Sequence, residues 1–131
     1  MIVLDASAAL ELLLRRPLAD VVENRIFTPG ESLHAPQLFF IEVLQVLRRY
    51  WGTGELTAAR GREAVEDLLD LPLVIHPHEP LLQRVWELRQ NATAYDAVYL
   101  ALAEALPATL LTSDRRLAAS PGHGAVVELA R

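Results

Sequence analysis

Ile2-Val3-Leu4-Asp5-Ala6-Ser7-Ala8-Ala9-Leu10 begins the chain with three apolar residues, an aspartate, and then a run rich in helix formers. An apolar run without alternation is the mark of a strand covered on both faces, as in parallel sheets. Residues 2–5 are read as that strand. Ser7 is read as the N-cap of a helix over Ala8–Arg15 that stops at Arg16-Pro17. The same handover from strand to helix recurs along the chain. Helices are expected over Leu18–Ile26, from Pro36 to Trp51, over Thr57–Leu71 and over Leu81–Gln90. Another is expected over Ala94–Leu106 behind a Thr93 cap, and a short helical turn at Arg115–Ala119. Strands are expected at Ser32–Ala35, Leu73–His76, Ala108–Thr112 and Ala125–Leu129. This alternation predicts an α/β fold, a three-layer α/β/α sandwich with a central parallel sheet of about five short strands and about six helices. A length of 131 residues suits a single domain over 1–131 with room for a proper core.

Composition narrows the function classes. The hydrophobic share is 52% with a mean hydropathy of +0.21, high for a soluble chain of this size. That surplus predicts apolar surface reserved for a partner or for a second copy, and so a homodimer. No stretch approaches the ~18 uninterrupted apolar residues of a membrane span. The start lacks the basic segment of a secretory leader, and the absence of cysteine excludes disulfides and thiolate metal sites. Both features fit a reducing cytoplasm. The net charge of −5 runs against bulk attraction to nucleic acid, but all twelve basic residues are arginine. Without lysine, Schiff-base chemistry and a phosphate-binding lysine are excluded.

Four carboxylates stand where a carboxylate is awkward. Asp5 ends the first apolar run, and Glu42 interrupts Leu38-Phe39-Phe40-Ile41 and Val43-Leu44. Asp96 lies within Ala94-Tyr95-Asp96-Ala97-Val98-Tyr99-Leu100, and Asp114 follows Ala108-Thr109-Leu110-Leu111-Thr112-Ser113. Asp5 and Asp114 fall at the carboxyl ends of expected strands, where open parallel sheets bind ligands. Glu42 and Asp96 fall early in helices that can start at the same end. Two like charges ~4 Å apart repel by ~4 kcal/mol at an effective dielectric of about 20, so converging acids need a shared cation. A donor set of oxygen alone points to Mg²⁺ or Mn²⁺ rather than Zn²⁺.

Each residue also has a local use. Asp5 and Asp114 can cap the helices that follow them, and Thr93-Ala94-Tyr95-Asp96 fits a capping box with Asp in place of Glu. Glu42 has no such use; a salt bridge to Arg48 or Arg49 is its alternative. His76 and His78, in a proline-flanked loop, are not expected to bind metal. Trp51, Trp86 and Tyr99 are expected in the core or at an interface.

The segments Ile2-Val3-Leu4-Asp5-Ala6-Ser7, Glu42-Val43 through Leu47-Arg48-Arg49, Thr93-Ala94-Tyr95-Asp96-Ala97 and Leu111-Thr112-Ser113-Asp114-Arg115-Arg116-Leu117 together resemble a PIN domain. The likeness is greatest to the small VapC-type toxins of prokaryotic toxin–antitoxin pairs and covers essentially the whole chain. Gln45 departs from the Asn more common there. The resemblance implies a metal-dependent endoribonuclease in which Asp5, Glu42, Asp96 and Asp114 are catalytic and hold Mg²⁺ or Mn²⁺. It also implies an RNA substrate and a cognate VapB-like antitoxin. Ser7 and Thr112 are supporting residues that could orient the carboxylates, local capping being their alternative. Arg115 and Arg116 are the leading RNA-binding residues, ahead of Arg15, Arg16, Arg48 and Arg49. A stand-alone RNA-processing nuclease and a non-catalytic PIN binding module remain the alternatives. Phosphoryl-transfer folds with an acidic pocket are disfavoured by the missing lysine and by Asp5-Ala6-Ser7 in place of two bracketing aspartates.

Overall fold

Five short strands, β1 Ile2–Leu4, β2 Leu33–Pro36, β3 Leu73–His76, β4 Thr109–Thr112 and β5 Val126–Leu129, form one sheet in the computed structural model, which describes residues 1–131. All four pairings are parallel, in the order β3-β2-β1-β4-β5. Central β1 is wholly buried, as its unbroken apolar run requires. Ile2 registers with Leu33 on one side and Thr109 on the other.

Seven α-helices flank the sheet: α1 Ala6–Leu13, α2 Ala19–Ile26, α3 Leu38–Gly52, α4 Ala58–Asp70, α5 Leu82–Glu87, α6 Ala94–Ala105 and α7 Arg115–Ala118. A 3₁₀ turn at Glu79–Leu81 precedes α5. The connections β1→β2→β3 step one way along the sheet, and those to β4 and β5 step the other. Right-handed crossovers therefore place α1–α4 on one face and α5–α6 on the opposite one. Accordingly α1 packs on α2, α3 and α4, whereas α6 lies along β1, β2 and β4 beneath α5. Every residue of α6 from Ala97 to Ala103 is buried. The core is one cluster of 32 residues, with Tyr99 and Phe39 the largest fully buried side chains.

The expected elements are present, with two local corrections. Pro36 closes β2 rather than opening α3, and the next residue ties the strand to its neighbour through Gln37 N–H donating to the His76 carbonyl at 3.0 Å. Ser7 is not the cap of α1. The helix begins at Ala6, with Asp5 at the capping position but giving no side-chain cap bond. Asp5 and Ser7 are engaged elsewhere. No helix is long and apolar enough to cross a membrane.

Candidate active site

The strand order reverses direction between β1 and β4, and sheets of this kind bind ligands beyond the strand carboxyl ends at such a reversal. Asp5 leaves β1 and Asp114 follows β4 at this point. α3 starts at the same end because it follows β2, and α6 has its N-terminus there because it runs back toward the start of β4. Asp5, Glu42, Asp96 and Asp114 consequently line one open cleft of about 720 Å³.

Asp5 is 7% exposed, and its Oδ2 accepts from Ser7 Oγ at 2.5 Å and Thr112 Oγ1 at 2.7 Å. The two hydroxyls are fixed in turn: Ser7 Oγ accepts from Ser113 N–H at 3.1 Å and Thr112 Oγ1 from Asp114 N–H at 3.0 Å. Each hydroxyl thus spends its one proton on Asp5 while its lone pairs hold the loop after β4. Burial pushes the Asp5 carboxyl up, the two hydroxyl bonds oppose that rise, and the charge of Asp96 adds to it.

Glu42 is half-buried, and its partner is the Tyr99 hydroxyl, which donates to Oε1 at 2.5 Å, rather than Arg48 or Arg49. Burial raises the Glu42 carboxyl, the Tyr99 bond lowers it, and the charges of Asp5 and Asp96 raise it further. Tyr99 is itself pushed up by burial and by the Glu42 and Asp5 charges, so its hydroxyl stays a donor. This positioning role was not read from the sequence, although Asp96 and Tyr99 share a helix face at i, i+3.

Only half of the capping box forms. Asp96 N–H donates to Thr93 Oγ1 at 3.2 Å, while the Asp96 carboxylate turns into the cleft. Its Oδ2 is buried and no hydrogen bond is aimed at it; Arg116 Nη1 lies 2.8 Å away, close enough for an ion pair but misaligned for a hydrogen bond. Asp114 caps α7, with Oδ1 accepting from Arg116 N–H at 2.9 Å and Leu117 N–H at 3.3 Å. Its Oδ2 lies 3.4 Å from Arg116 Nη2.

The expected arginine pair divides. Arg116 lines the cleft; Arg115 is exposed and does not. Across the cleft stand Arg16 and Arg49, with their guanidinium carbons 4.6 and 5.6 Å from the Tyr50 ring centroid. Arg16 owes its place to Arg15, whose φ of 52° ends α1 in a left-handed turn. Arg16 N–H bonds to the Glu11 carbonyl and Arg15 N–H to that of Leu12, a Schellman closure with arginine where glycine is usual. His76 pairs with His34 at 2.9 Å, and His78 Nε2 accepts from Leu38 N–H at the start of α3.

No three acidic or imidazole groups lie close enough to form a ready metal cage. The cleft still suits a hard divalent cation in its chemistry. Its acids offer oxygen only, Asp96 Oδ2 is buried without a donor, and neighbouring carboxylate charge adds to burial in raising the Asp5 and Glu42 carboxyls.

A family model described as the PIN domain matches residues 2–122. The chain belongs to the PIN-domain family. Within it, VapC-type chains are close: ribonuclease VapC12 of Mycobacterium tuberculosis is 43% identical over 129 residues, covering 98% of both chains. Ribonuclease VapC9 of the same species is 44% identical over 117 residues, covering 89% of this chain and 88% of its own. In fold, the chain is similar to a solved VapBC2 structure from Rickettsia felis bound to a promoter DNA fragment. The TM-score is 0.75 at 16% identity, over 98% of each chain. With VapC20 of M. tuberculosis, a sarcin–ricin loop cleaving toxin, the TM-score is 0.69 at 14% identity over 91% of this chain and 94% of that one. This PIN chain is therefore VapC-type, and its parallel sheet is the one those structures share.

Proposed function

We propose that this PIN domain is an endoribonuclease that hydrolyses RNA phosphodiester bonds with a divalent cation, Mg²⁺ or Mn²⁺, and acts as the toxin of a toxin–antitoxin pair in the cytoplasm. The observation that carries this reading is the convergence of Asp5, Glu42, Asp96 and Asp114 on one cleft at the strand reversal, in a chain whose relatives are named ribonucleases. These four acids would hold the cation. When bound, it supplies Lewis acidity that lowers the pKa of water and offsets charge building on the scissile phosphate.

The protein's own residues do the rest. Ser7 and Thr112 hold the Asp5 carboxylate in one orientation, and Tyr99 does the same for Glu42. Arg16, Arg49 and Arg116 provide the positive lining that the net charge of −5 denies to the surface as a whole. Tyr95, exposed and lining the cleft, offers a ring for stacking an unpaired base. Arg115 would reach RNA only from outside the cleft.

Exposed Ile41, Leu44 and Trp51 on α3, with Leu82 and Trp86 on α5, support a chain covered by partners. Those partners are a VapB-like antitoxin and a second copy; a monomeric mass in light scattering at micromolar concentration would count against the dimer. Catalysis is tested with structured RNA and purified chain freed of any antitoxin. Cleavage should require Mg²⁺ or Mn²⁺, stop in excess EDTA, and fall at least ~10²-fold in Asp5→Asn and Asp96→Asn. Cleavage that survives EDTA or both substitutions would refute the proposal.

A further inference from the structure

Of the three arginines that line the cleft, one pairs with its acids. Arg116 Nη1 stands 2.8 Å from Asp96 Oδ2 and Nη2 3.4 Å from Asp114 Oδ2. The two partners differ in setting. The Arg116 side chain is 66% exposed, whereas that of Asp96 is 15% exposed and its Oδ2 has no hydrogen bond from any group. The root of Arg116 is pinned, since its backbone N–H donates to Asp114 Oδ1 at 2.9 Å. A guanidinium on a fixed root and a solvated stem can leave these oxygens without disturbing the fold around it. Nothing else offers Asp96 Oδ2 a compensating charge at that distance.

We propose that Arg116 is an internal counter-ion that competes with the divalent cation for Asp96 and Asp114, and that displacement by the cation frees it to hold an RNA phosphate. The inference rests on reading the cleft as a divalent-cation site. The buried oxygen that meets the guanidinium is one the cation also needs, so the two occupancies exclude each other at Asp96. Such an exchange offsets the charge of Asp96 and Asp114 in the empty site. It also couples RNA binding to metal loading, because the phosphate contact is released only when the acids are satisfied. Arg115 provides the internal control: it carries the same charge one residue away, yet forms no ion pair and does not line the cleft.

The test is calorimetric titration of the full-length chain with Mn²⁺ alone. Arg116→Ala should bind Mn²⁺ about three- to tenfold more tightly than the native chain, the range that two exposed ion pairs can supply. Arg116→Lys should fall between them, since one ammonium cannot span both acids. Arg115→Ala should match the native chain. A second readout is affinity for an RNA made uncleavable by 2′-deoxy substitution. Arg116→Ala should weaken it and lower its salt dependence by about one phosphate contact in Mn²⁺, and leave it unchanged without metal. Equal Mn²⁺ affinity in Arg116→Ala and the native chain would overturn the counter-ion role while leaving the metal site standing. Equal tightening in Arg115→Ala would overturn it too, as general electrostatics. Absence of Mn²⁺ binding in every chain would overturn the metal site itself and the inference with it.

Discussion

Removing one oxygen atom, by Tyr99→Phe, isolates the support of Glu42. The ring stays in its buried place on α6, and only the donor to Glu42 Oε1 is lost. Hydrogen bonds to charged groups contribute about 1.5–3 kcal/mol. Glu42 is half-buried and partly solvated, so the lower end applies, ~1.5 kcal/mol when it is ionised. For a chain of this length that is a fall in Tm of about 5 °C near neutral pH. The loss should shrink at about pH 4, where a protonated Glu42 gives up only a neutral hydrogen bond worth ~1 kcal/mol or less. Because the bond favours the ionised form, its removal raises the Glu42 carboxyl further. The difference between the two forms is ~0.5 kcal/mol, so at ~1.4 kcal/mol per pH unit the acid limb of kcat/KM against pH should move upward by about half a unit. Thermal melts at two pH values, a pH–rate profile and carbon NMR titration of Glu42 read the three effects. An equal Tm loss at both pH values together with an unmoved acid limb would show that Tyr99 acts by packing alone.

Asp5 and Glu42 both have folded pKa values above their ordinary 3.8 and 4.5, so the stability they contribute is full below those values and is lost as pH rises through the folded ones. Metal-free chain should therefore lose Tm as pH rises through those folded values toward neutrality, and Asp5→Asn should flatten that slope and raise the neutral-pH Tm. Glu31 and Glu104, held low by the N-terminal ammonium and Arg25 and by Arg84, lose their contribution only as pH falls through their lowered values, which separates the two effects. Thr112→Val removes a fully buried donor to Asp5 and the acceptor of Asp114 N–H, and should cost about 1–3 kcal/mol in denaturant titration and reduce kcat more than it raises KM. Arg16→Ala and Arg49→Ala should each weaken RNA binding and lower the salt slope by about 0.7 while leaving Mn²⁺ affinity unchanged, as read by filter binding across a salt series.

The fold was legible because its signals were local and repeated. Ile2-Val3-Leu4 had to be covered on both faces, and the helices expected to end at Leu71 and Leu106 end one residue earlier, at Asp70 and Ala105. The order of the strands was not legible, since β1 pairs with β2 and β4 through contacts more than a hundred residues apart in the second case. That order matters most here, because it sets the reversal between β1 and β4 that gathers the acids. Of the site, the carboxylates stood out by their conflict with apolar surroundings. Ser7 was misread as a cap because its hydroxyl had two possible partners in the sequence and only the pairing of β4 beside β1 decides between them. Tyr99 was hidden by its size: a buried aromatic in an apolar helix reads as core, and it is core, with one polar atom aimed at Glu42. Arg16 and Arg49 were obscured by neighbouring arginines, and the left-handed turn at Arg15 is what selects Arg16.

The way each acid is held carries a further consequence. Asp5 and Glu42 are oriented by neutral hydroxyls from Ser7, Thr112 and Tyr99, whereas Asp96 and Asp114 face the Arg116 guanidinium. A hydroxyl fixes a carboxylate without cancelling its charge, so the deep half of the cleft keeps its negative field and its raised carboxyls. An arginine there would have stabilised the empty protein and filled the place a cation must take. The shallow half can accept an arginine because a solvated stem lets it leave. The cleft thus leaves Asp5 and Glu42 without a paired cation and sets Arg116, on an exposed stem, against Asp96 and Asp114. That division is what a site built to admit a divalent cation and an anionic chain together would require.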